Sequence, residues 1–406
     1  NFLYIGTITE YNEDRTVAPE FTVESGRYSD SVTIEIVCSD PNAEIYYTLD
    51  GSRASRSTGI LYIGPIVIDK VTRVHACAYS GDKLKSLQAV ADYYITVTDP
   101  EENFVIDTNG IITEYNGTNN YLTIPDTIGG IPVTGIGRSV FYASDIAMVK
   151  FPDTLTYVGE WAFYNCQSLT AVYSTNLKVV DNRGFYTCHN LDTIDLTQLE
   201  EVGEYGFGHC HSIVSVYNDK LTTINRCAFN CLSNAIYLEF PNVTSVDVWG
   251  LRFLQNAEYV GLPNVKTLGR QALAYAYKLE SFDLPELTTL VGDSCFAYTF
   301  NLKEFNAPKL TNITYYAFND SYIEYLELPS VTTIESEALR TSHIKTLKLE
   351  NLKTAESGSF SDLDMLEMLY LPNVTSIAAD AFNTPLYGDY SSVNMIIFAP
   401  NLVSLE

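Results

Sequence analysis

Apolar residues recur along most of this chain in a word of about 22 residues. Aligned on a recurring Ala-Phe pair and its variants, the anchors are Phe141, Phe163, Phe185, Phe207, Phe229, Leu251, Leu273, Phe296, Phe318, Leu339, Phe360 and Phe382. The steps between them are 22 six times, then 23, 22, 21, 21 and 22. A fixed period of this size is the mark of a solenoid. Each unit reads roughly L-x-x-Φ-x-Φ-P-x-L-T-x-Φ-G-x-x-A-F-x-x-C-x-x. In Leu279-Glu-Ser-Phe282-Asp-Leu284-Pro285 the apolar residues alternate, the period of a half-buried strand. A second short strand follows at Leu287-Thr-Thr-Leu290, and then the Ala-Phe segment, expected as a short helix or 3₁₀ turn whose aromatic plugs the core. One such unit cannot bury its apolar face alone, so stacked coils form parallel sheets around a continuous core. Twelve coils at about 4.8 Å each span on the order of 55–60 Å.

Proline closes the first strand at Pro152, Pro241, Pro263, Pro285, Pro308, Pro329, Pro372 and Pro400. It cannot donate to a ladder and belongs at a strand end. Four residues before the anchor stand Gly137, Gly159, Asp181, Gly203, Asn225, Asp247, Gly269 and Gly292, types that tolerate left-handed or capping geometry. A corner or helix start is expected there. Thr314, Glu335, Glu356 and Ala378 replace them later, which predicts a different turn in those coils.

Residues 17–98 lack the period. Ser31–Cys38, Glu44–Thr48, Gly64–Ile68, Thr72–Ala78 and Ala89–Ile95 read as strands separated by turn signals such as Asp40-Pro41-Asn42 and Asp50-Gly51-Ser52. That is the pattern of a small all-β sandwich. Residues 1–16 stay unassigned as an N-terminal extension, 99–140 form a lead-in or cap, and 141–406 the solenoid.

Composition adds charge to this picture. The chain has 406 residues and a net charge of −26. By position, −5 of it falls before Asp99 and −21 after. Such a surface repels phosphate backbones, which excludes nucleic acid as a partner class. No run of about eighteen apolar residues exists, so no transmembrane helix is expected.

The chemistry-bearing residues have plain structural readings. Cys166, Cys188 and Cys210 each follow an anchor by three and are expected as buried free thiols stacked in register. Cys38 and Cys77 lie on strands of opposite facing parity, Cys38 inward and Cys77 outward, so no bridge is expected between them. His189, His209 and His211 cluster, but a single stacked row with no orienting carboxylate makes a poor metal site. Asn116, Asn242, Asn312 and Asn373 open glycosylation sequons, of which two are simply the repeat word Pro-Asn-Val-Thr. Gly-x-Ser-x-Gly, phosphate-loop and His-Glu-x-x-His motifs are lacking, so no enzyme and no cofactor is expected.

The word Val158-Gly159-Glu-Trp-Ala162-Phe163-Tyr-Asn-Cys166-Gln-Ser-Leu169, with the lead-in Phe104–Gly117 and Leu122-Thr-Ile-Pro125, closely resembles the BspA-like leucine-rich repeat of bacterial surface proteins. Ile45-Tyr-Tyr-Thr-Leu-Asp-Gly-Ser52 resembles the immunoglobulin-like module that follows the catalytic domain of chitobiases. Together they imply a mainly β fold with short helices: a solenoid of about twelve coils of 21–23 residues behind an immunoglobulin-like sandwich. They further imply an extracellular or surface-attached bacterial protein with an adhesive or host-interacting role and no shared catalytic residues.

In L-x-x-Φ-x-Φ the x positions point outward. Over the coils from Leu169 to Leu371 that makes 30 positions, of which ten are acidic, three basic (Lys303, Lys345, Lys348) and six tyrosine. The tyrosines are Tyr173, Tyr217, Tyr237, Tyr259, Tyr325 and Tyr370, flanked by Glu239, Glu258, Glu324 and Glu327. Flat rows of tyrosine with carboxylates suit a protein or glycan partner, and this face is the expected binding site of a monomeric, non-enzymatic surface or secreted protein. The alternative is a structural spacer within a larger cell-wall-associated protein.

Overall fold

The computed structural model describes residues 16–81, 83–382 and 395–405. The unassigned extension lies outside them except for Thr16. The chain divides into two units, Asn1–Asp99 with Tyr121–Ile124, and Pro100–Asn120 with Pro125–Glu406. The lead-in expected over 99–140 is thus shared, its Leu122-Thr-Ile segment belonging to the first unit.

The first unit is a β-sandwich. Its larger sheet runs Gly26–Tyr28, Ala89–Ile95, Thr72–Tyr79, Glu44–Thr48, Ile60–Leu61. Val32–Ile34 pairs with Ile66–Ile68, and Glu20–Phe21 with Ile36–Val37. The expected strand Ser31–Cys38 is therefore broken in two. Ile34, Ile36, Ile45, Ile68, Val74 and Ile95 fill the core around Tyr93, whose hydroxyl donates to the Val23 carbonyl at 2.7 Å. Cys77 departs from its expected outward exposure. It lies on the sheet face away from this core, yet it is fully buried, and its thiol donates to the Ala54 carbonyl at 3.2 Å.

The second unit is a β-solenoid of about 13 turns of about 22 residues. Two strand rows run along it. The first includes Ala171–Tyr173, Ser215–Tyr217, Tyr237–Glu239, Tyr259–Gly261, Ser281–Asp283 and Tyr325–Glu327. The second includes Tyr157–Val158, Val179–Val180, Thr223–Ile224 and Thr267–Leu268. Both are parallel and in register with the repeat: Tyr237 pairs with Tyr259, and Val158 with Val180.

The Ala-Phe segments form no helix; the one short 3₁₀ helix among the described residues is Glu101–Asn103. The reason lies in the backbone. Trp161, Phe163 and Asn165 donate their N–H groups to the carbonyls of Asn182, Gly184 and Tyr186 in the next coil, at 3.1, 2.8 and 2.8 Å. The alternate residues Ala162, Tyr164 and Cys166 donate three residues back within their own coil. A helix would direct every N–H back into its own segment, whereas here half of them join coil to coil as in a sheet.

That alternation demands left-handed residues two before and two after each anchor. From Phe141 to Phe360 these positions have φ between 50° and 68°, and only Gly358 among them is glycine. The left-handed geometry is therefore not at the anchor-minus-four glycines where it was expected. Those glycines serve close approach instead: a Cβ on Gly159 would lie 2.9 Å from the Ile136 carbonyl oxygen, and one on Gly203 2.6 Å from the Asn182 nitrogen. Where the repeat has Asp181 or Asp247, the carboxylate caps the following N–H at 2.6 Å. The later coils do not turn differently, since Tyr316, Glu337 and Gly358 keep the same left-handed position.

The anchors stack into a column. Phe141, Phe163, Phe185, Phe207 and Phe229 follow one another with ring centroids 4.9–5.7 Å apart and planes within 18°. Beside them each thiol of the Cys166, Cys188 and Cys210 row donates to the anchor carbonyl of the preceding coil, at 2.9–3.1 Å. The asparagines of the Pro-Asn-Val-Thr word tie coils together as well: the amides of Asn242 and Asn373 donate to the Asp219 and Glu350 carbonyls at 2.6 and 2.9 Å.

The column sets a stability contrast. Phe207→Ala removes a fully buried ring stacked on both sides and is expected to cost roughly 3–5 kcal/mol. Tyr217→Ala on the outer strand face is expected to cost under about 1 kcal/mol. Thermal or denaturant melts of the two variants check this, and equal losses would contradict the register.

Candidate binding surface

The outward positions of the first strand row do not form one uniform face. In the coil Ala235–Phe240 the residues Ala235, Leu238 and Phe240 are fully buried, while Ile236 and Tyr237 are exposed and Glu239 half-exposed. The first two outward positions are likewise exposed in the coils that carry Tyr217, Tyr259 and Tyr325, while the third varies from exposed Tyr217 through half-exposed Glu327 to buried Gly261. Tyr173 departs from it: the residue is half-buried and its hydroxyl is shielded from solvent, so it offers little to a partner. Tyr370 is also half-buried, stacked on Phe398 at 5.0 Å.

Tyr237 and Tyr259 stack at 4.8 Å with their planes 12° apart. Tyr237 donates its hydroxyl to Glu239, and the carboxylate that holds this proton pushes the phenol up to about 12. Gly261 makes room for the second ring, because a Cβ there would lie 2.7 Å from the Tyr259 hydroxyl. Among the described residues no cation pairs with Glu239 or Glu258.

Four turns of the repeat later the same motif is neutralised. Tyr325 donates to Glu327, but Lys348 lies 3.4 Å from that carboxylate and 5.1 Å from the Tyr325 ring centroid. Hydrogen bonding from Tyr325, then Lys348, holds Glu327 below its ordinary range. Lys345 sits 2.9 Å from Glu324. The charged tyrosine row thus separates into a compensated half at Glu324–Tyr325–Glu327 and an uncompensated half at Tyr237–Glu239–Glu258–Tyr259.

Sequence reasoning missed two members of the uncompensated half. Val214 and Ile236 occupy the first outward position of adjacent coils and are 48% and 43% exposed. Their backbones are joined, Ile236 donating to the Val214 carbonyl at 2.7 Å. The signal was available, since an aliphatic residue at an x position breaks the polar rule of the repeat. With Tyr217, Tyr237 and Tyr259 they make an apolar patch bordered by Glu239 and Glu258, and an exposed patch of that kind marks interaction surfaces.

The model of the BspA-type leucine-rich repeat region matches residues 134–250 and 266–386, in six copies and over more than half of the chain. The chain belongs to the BspA-type leucine-rich repeat family. The chitobiase/β-hexosaminidase C-terminal domain model matches residues 23–90. Among solved structures, a leucine-rich repeat protein of Bacteroides ovatus is similar at 18% identity and TM-score 0.46, over 74% of this chain and 87% of that one. A leucine-rich cell surface protein of Faecalibacterium prausnitzii is similar at 19% and 0.40, over 69% and 91%. The leucine-rich repeat protein of T. pallidum is similar at 23% and 0.41, over 45% and 91%. No curated protein matches the chain. Leucine-rich repeat proteins of this type are generally non-enzymatic and typically extracellular or surface-associated, and the family points to a protein-binding or adhesion role. No described helix is long and apolar enough to cross a membrane.

The histidine cluster of this BspA-type solenoid packs as the repeat dictates. His189 and His211 lie 4.9 Å apart with their planes tilted by 31°, and His209 meets His211 edge-on at 5.5 Å. His211 Nδ1 lies 2.8 Å from the Cys231 carbonyl. No group of three or more potential metal ligands forms among the described residues. Burial and the neighbouring His211 hold both His189 and His209 below the ordinary 6.5. As pH falls below about 6.5 the unfolded chain takes up these protons first. The stability that these neutral histidines contribute is thus present above that value and is lost as the pH falls through the lower folded values. Melting temperatures measured from pH 7.5 to 5 should fall more steeply for the native chain than for a His189→Gln/His209→Gln variant, whereas parallel curves would contradict the assignment.

Proposed function

We propose that this chain is a non-enzymatic binding or adhesion protein of a bacterial surface, and that the outer strand row between Val214 and Tyr259 takes a protein partner through a basic patch. The observation that carries this reading is the uncompensated character of that half-face. Among the described residues its carboxylates pair with no cation, its two stacked tyrosines offer rigid area at low entropic cost, and Val214 and Ile236 supply apolar contact at its edge. A polar rim around aromatic anchors is the anatomy of an energetically concentrated interface. A cationic partner is favoured because its approach is steered by the −26 of the whole chain.

The experiment is to pan a random peptide library on the full chain and titrate the selected peptides. The peptides are expected to be rich in Lys and Arg and to bind about tenfold or more weakly to a Tyr237→Ala/Tyr259→Ala variant, with the melting temperature unchanged. Raising salt should weaken binding, since exposed charges are screened beyond about 8–10 Å. Unchanged affinity in the double variant, or no dependence on salt, would contradict the proposal. A spacer would select no such peptides at all.

A further inference from the structure

The turn side of the solenoid carries a second arrangement that the strand face does not explain. The six arginines of the solenoid, Arg138, Arg183, Arg226, Arg252, Arg270 and Arg340, all lie within three residues of an anchor, and none of its lysines does. Five of them rest on rings: Arg138 over Trp161 at 4.6 Å, Arg183 over Tyr205 at 5.0 Å, Arg226 over Trp249 at 5.9 Å, Arg252 over Phe253 at 4.1 Å and Arg340 over Tyr316 at 5.7 Å. Arg270 breaks the series. It is exposed, and among the described residues no ring or carboxylate engages its guanidinium.

Arg270 lines a cleft of about 470 Å³, within the ~300–1,000 Å³ usual for small-ligand sites. The cleft follows from residue size in the two left-handed rows. Two before the anchor, the row passes from Trp249 through the smaller Gln271 and Ser294 to Tyr316, which hollows the middle. Two after the anchor, Phe253, Tyr275 and Tyr298 stack at 4.3 and 4.6 Å, and then the row drops to Asp320 and Thr341. Tyr298 is therefore the last ring of a stack, with the shorter Asp320 next in its row. The coil lengths change at the same place: Val291 adds a residue before the turn, giving the 23-residue step, and the two 21-residue steps follow Phe318.

These tyrosines stand where the backbone disfavours them. Tyr275, Tyr298 and Tyr316 have φ of 67°, 60° and 55°, a conformation costing an ordinary residue roughly 1 kcal/mol or more that glycine would avoid. The repeat sets this geometry in every coil, so what distinguishes the cleft is which residues occupy it. The cleft is polar as well: Asp293 and Asp320 line it, and Arg340 is held by Tyr316 at 2.7 Å, Glu337 at 3.0 Å and Asp362 at 3.1 Å.

We propose that this cleft binds a neutral oligosaccharide. A pyranose ring stacks its C–H face on the open side of Tyr298, the carboxylates of Asp293 and Asp320 accept hydrogen bonds from its hydroxyls, and the forked guanidinium of Arg270 donates to a vicinal oxygen pair. The polar lining disfavours an apolar ligand. Of the two arginines in the lining, Arg340 is already paired with Glu337 and Asp362, so Asp293 and Asp320 outweigh Arg270 there, and with the −26 of the chain they disfavour an anionic one. This site is independent of the strand face, on different residues and with a different ligand chemistry.

The test is a microarray of neutral, uronic-acid and sulfated oligosaccharides probed with the full chain, followed by titration of the hits. Neutral glycans are expected to bind, and Arg270→Ser and Tyr298→Ala are each expected to weaken them about tenfold or more. Arg270 is exposed and has no side-chain partner among the described residues, so its variant is expected to leave the fold intact. Tyr237→Ala/Tyr259→Ala is expected to bind the same glycans normally. No glycan binding, binding confined to the acidic glycans, or binding untouched by Arg270→Ser would overturn the proposal.

Discussion

Coil-to-coil backbone hydrogen bonding is the constraint on which the rest of this protein depends. Each solenoid turn is too short to bury its own polar backbone, and an unpaired buried N–H or C=O is costly. The two strand rows solve the problem over part of each coil. The Ala-Phe segment solves it by sending every second N–H to the next coil and the others three residues back. Left-handed residues on either side of the anchor follow from that alternation, and so does the inward direction of the anchor ring. The phenylalanine column, the thiol row and the asparagine bridges all fit inside a frame that the backbone has already set.

The same constraint determines what the molecule can display. Along the first strand row, alternation leaves two or three outward side chains per coil, so tyrosines of adjacent coils meet face to face, as Tyr237 and Tyr259 do. On the turn side most of the left-handed residues are partly exposed, in two rows, and there the chain places its arginines and large rings. One face is acidic and tyrosine-bearing, the other is built from arginine–aromatic pairs. Charge compensation then differs along each face. Lys345 and Lys348 neutralise the strand row near Tyr325 and leave it bare near Tyr237, while Arg270 is the one turn-side arginine without a described partner.

Much of this was legible in the residues. The repeat period, the parallel stacking and the strand word L-x-x-Φ-x-Φ follow from spacing, because an aromatic anchor every 22 residues leaves few ways to bury it, and the word Val158–Leu169 carried the resemblance to the family. The turn was not legible. A helix and an alternating left-handed turn both place an Ala-Phe pair inward, and Trp161, Arg183 and Tyr205 are not residue types that announce positive φ. The anchor-minus-four glycines drew attention because glycine is usually read as a conformational residue, whereas here it answers to the backbone of the preceding coil. Parity mispredicted Cys77, since the outer face of its strand is covered by the Ala54 segment, a long-range contact. The tyrosine row was found by alternation, but the shielding of Tyr173 and the contribution of Val214 and Ile236 needed coordinates.

Residue-resolved hydrogen exchange of the native chain tests the central claim most directly. The backbone account predicts that the amides of Phe163, Phe185, Phe207 and Phe229 exchange as slowly as those of the strands, because each donates to the next coil at 2.8–3.0 Å and opens only when coils separate. Exchange of these turn amides near the rate of an open loop, with the strand amides protected, would contradict it.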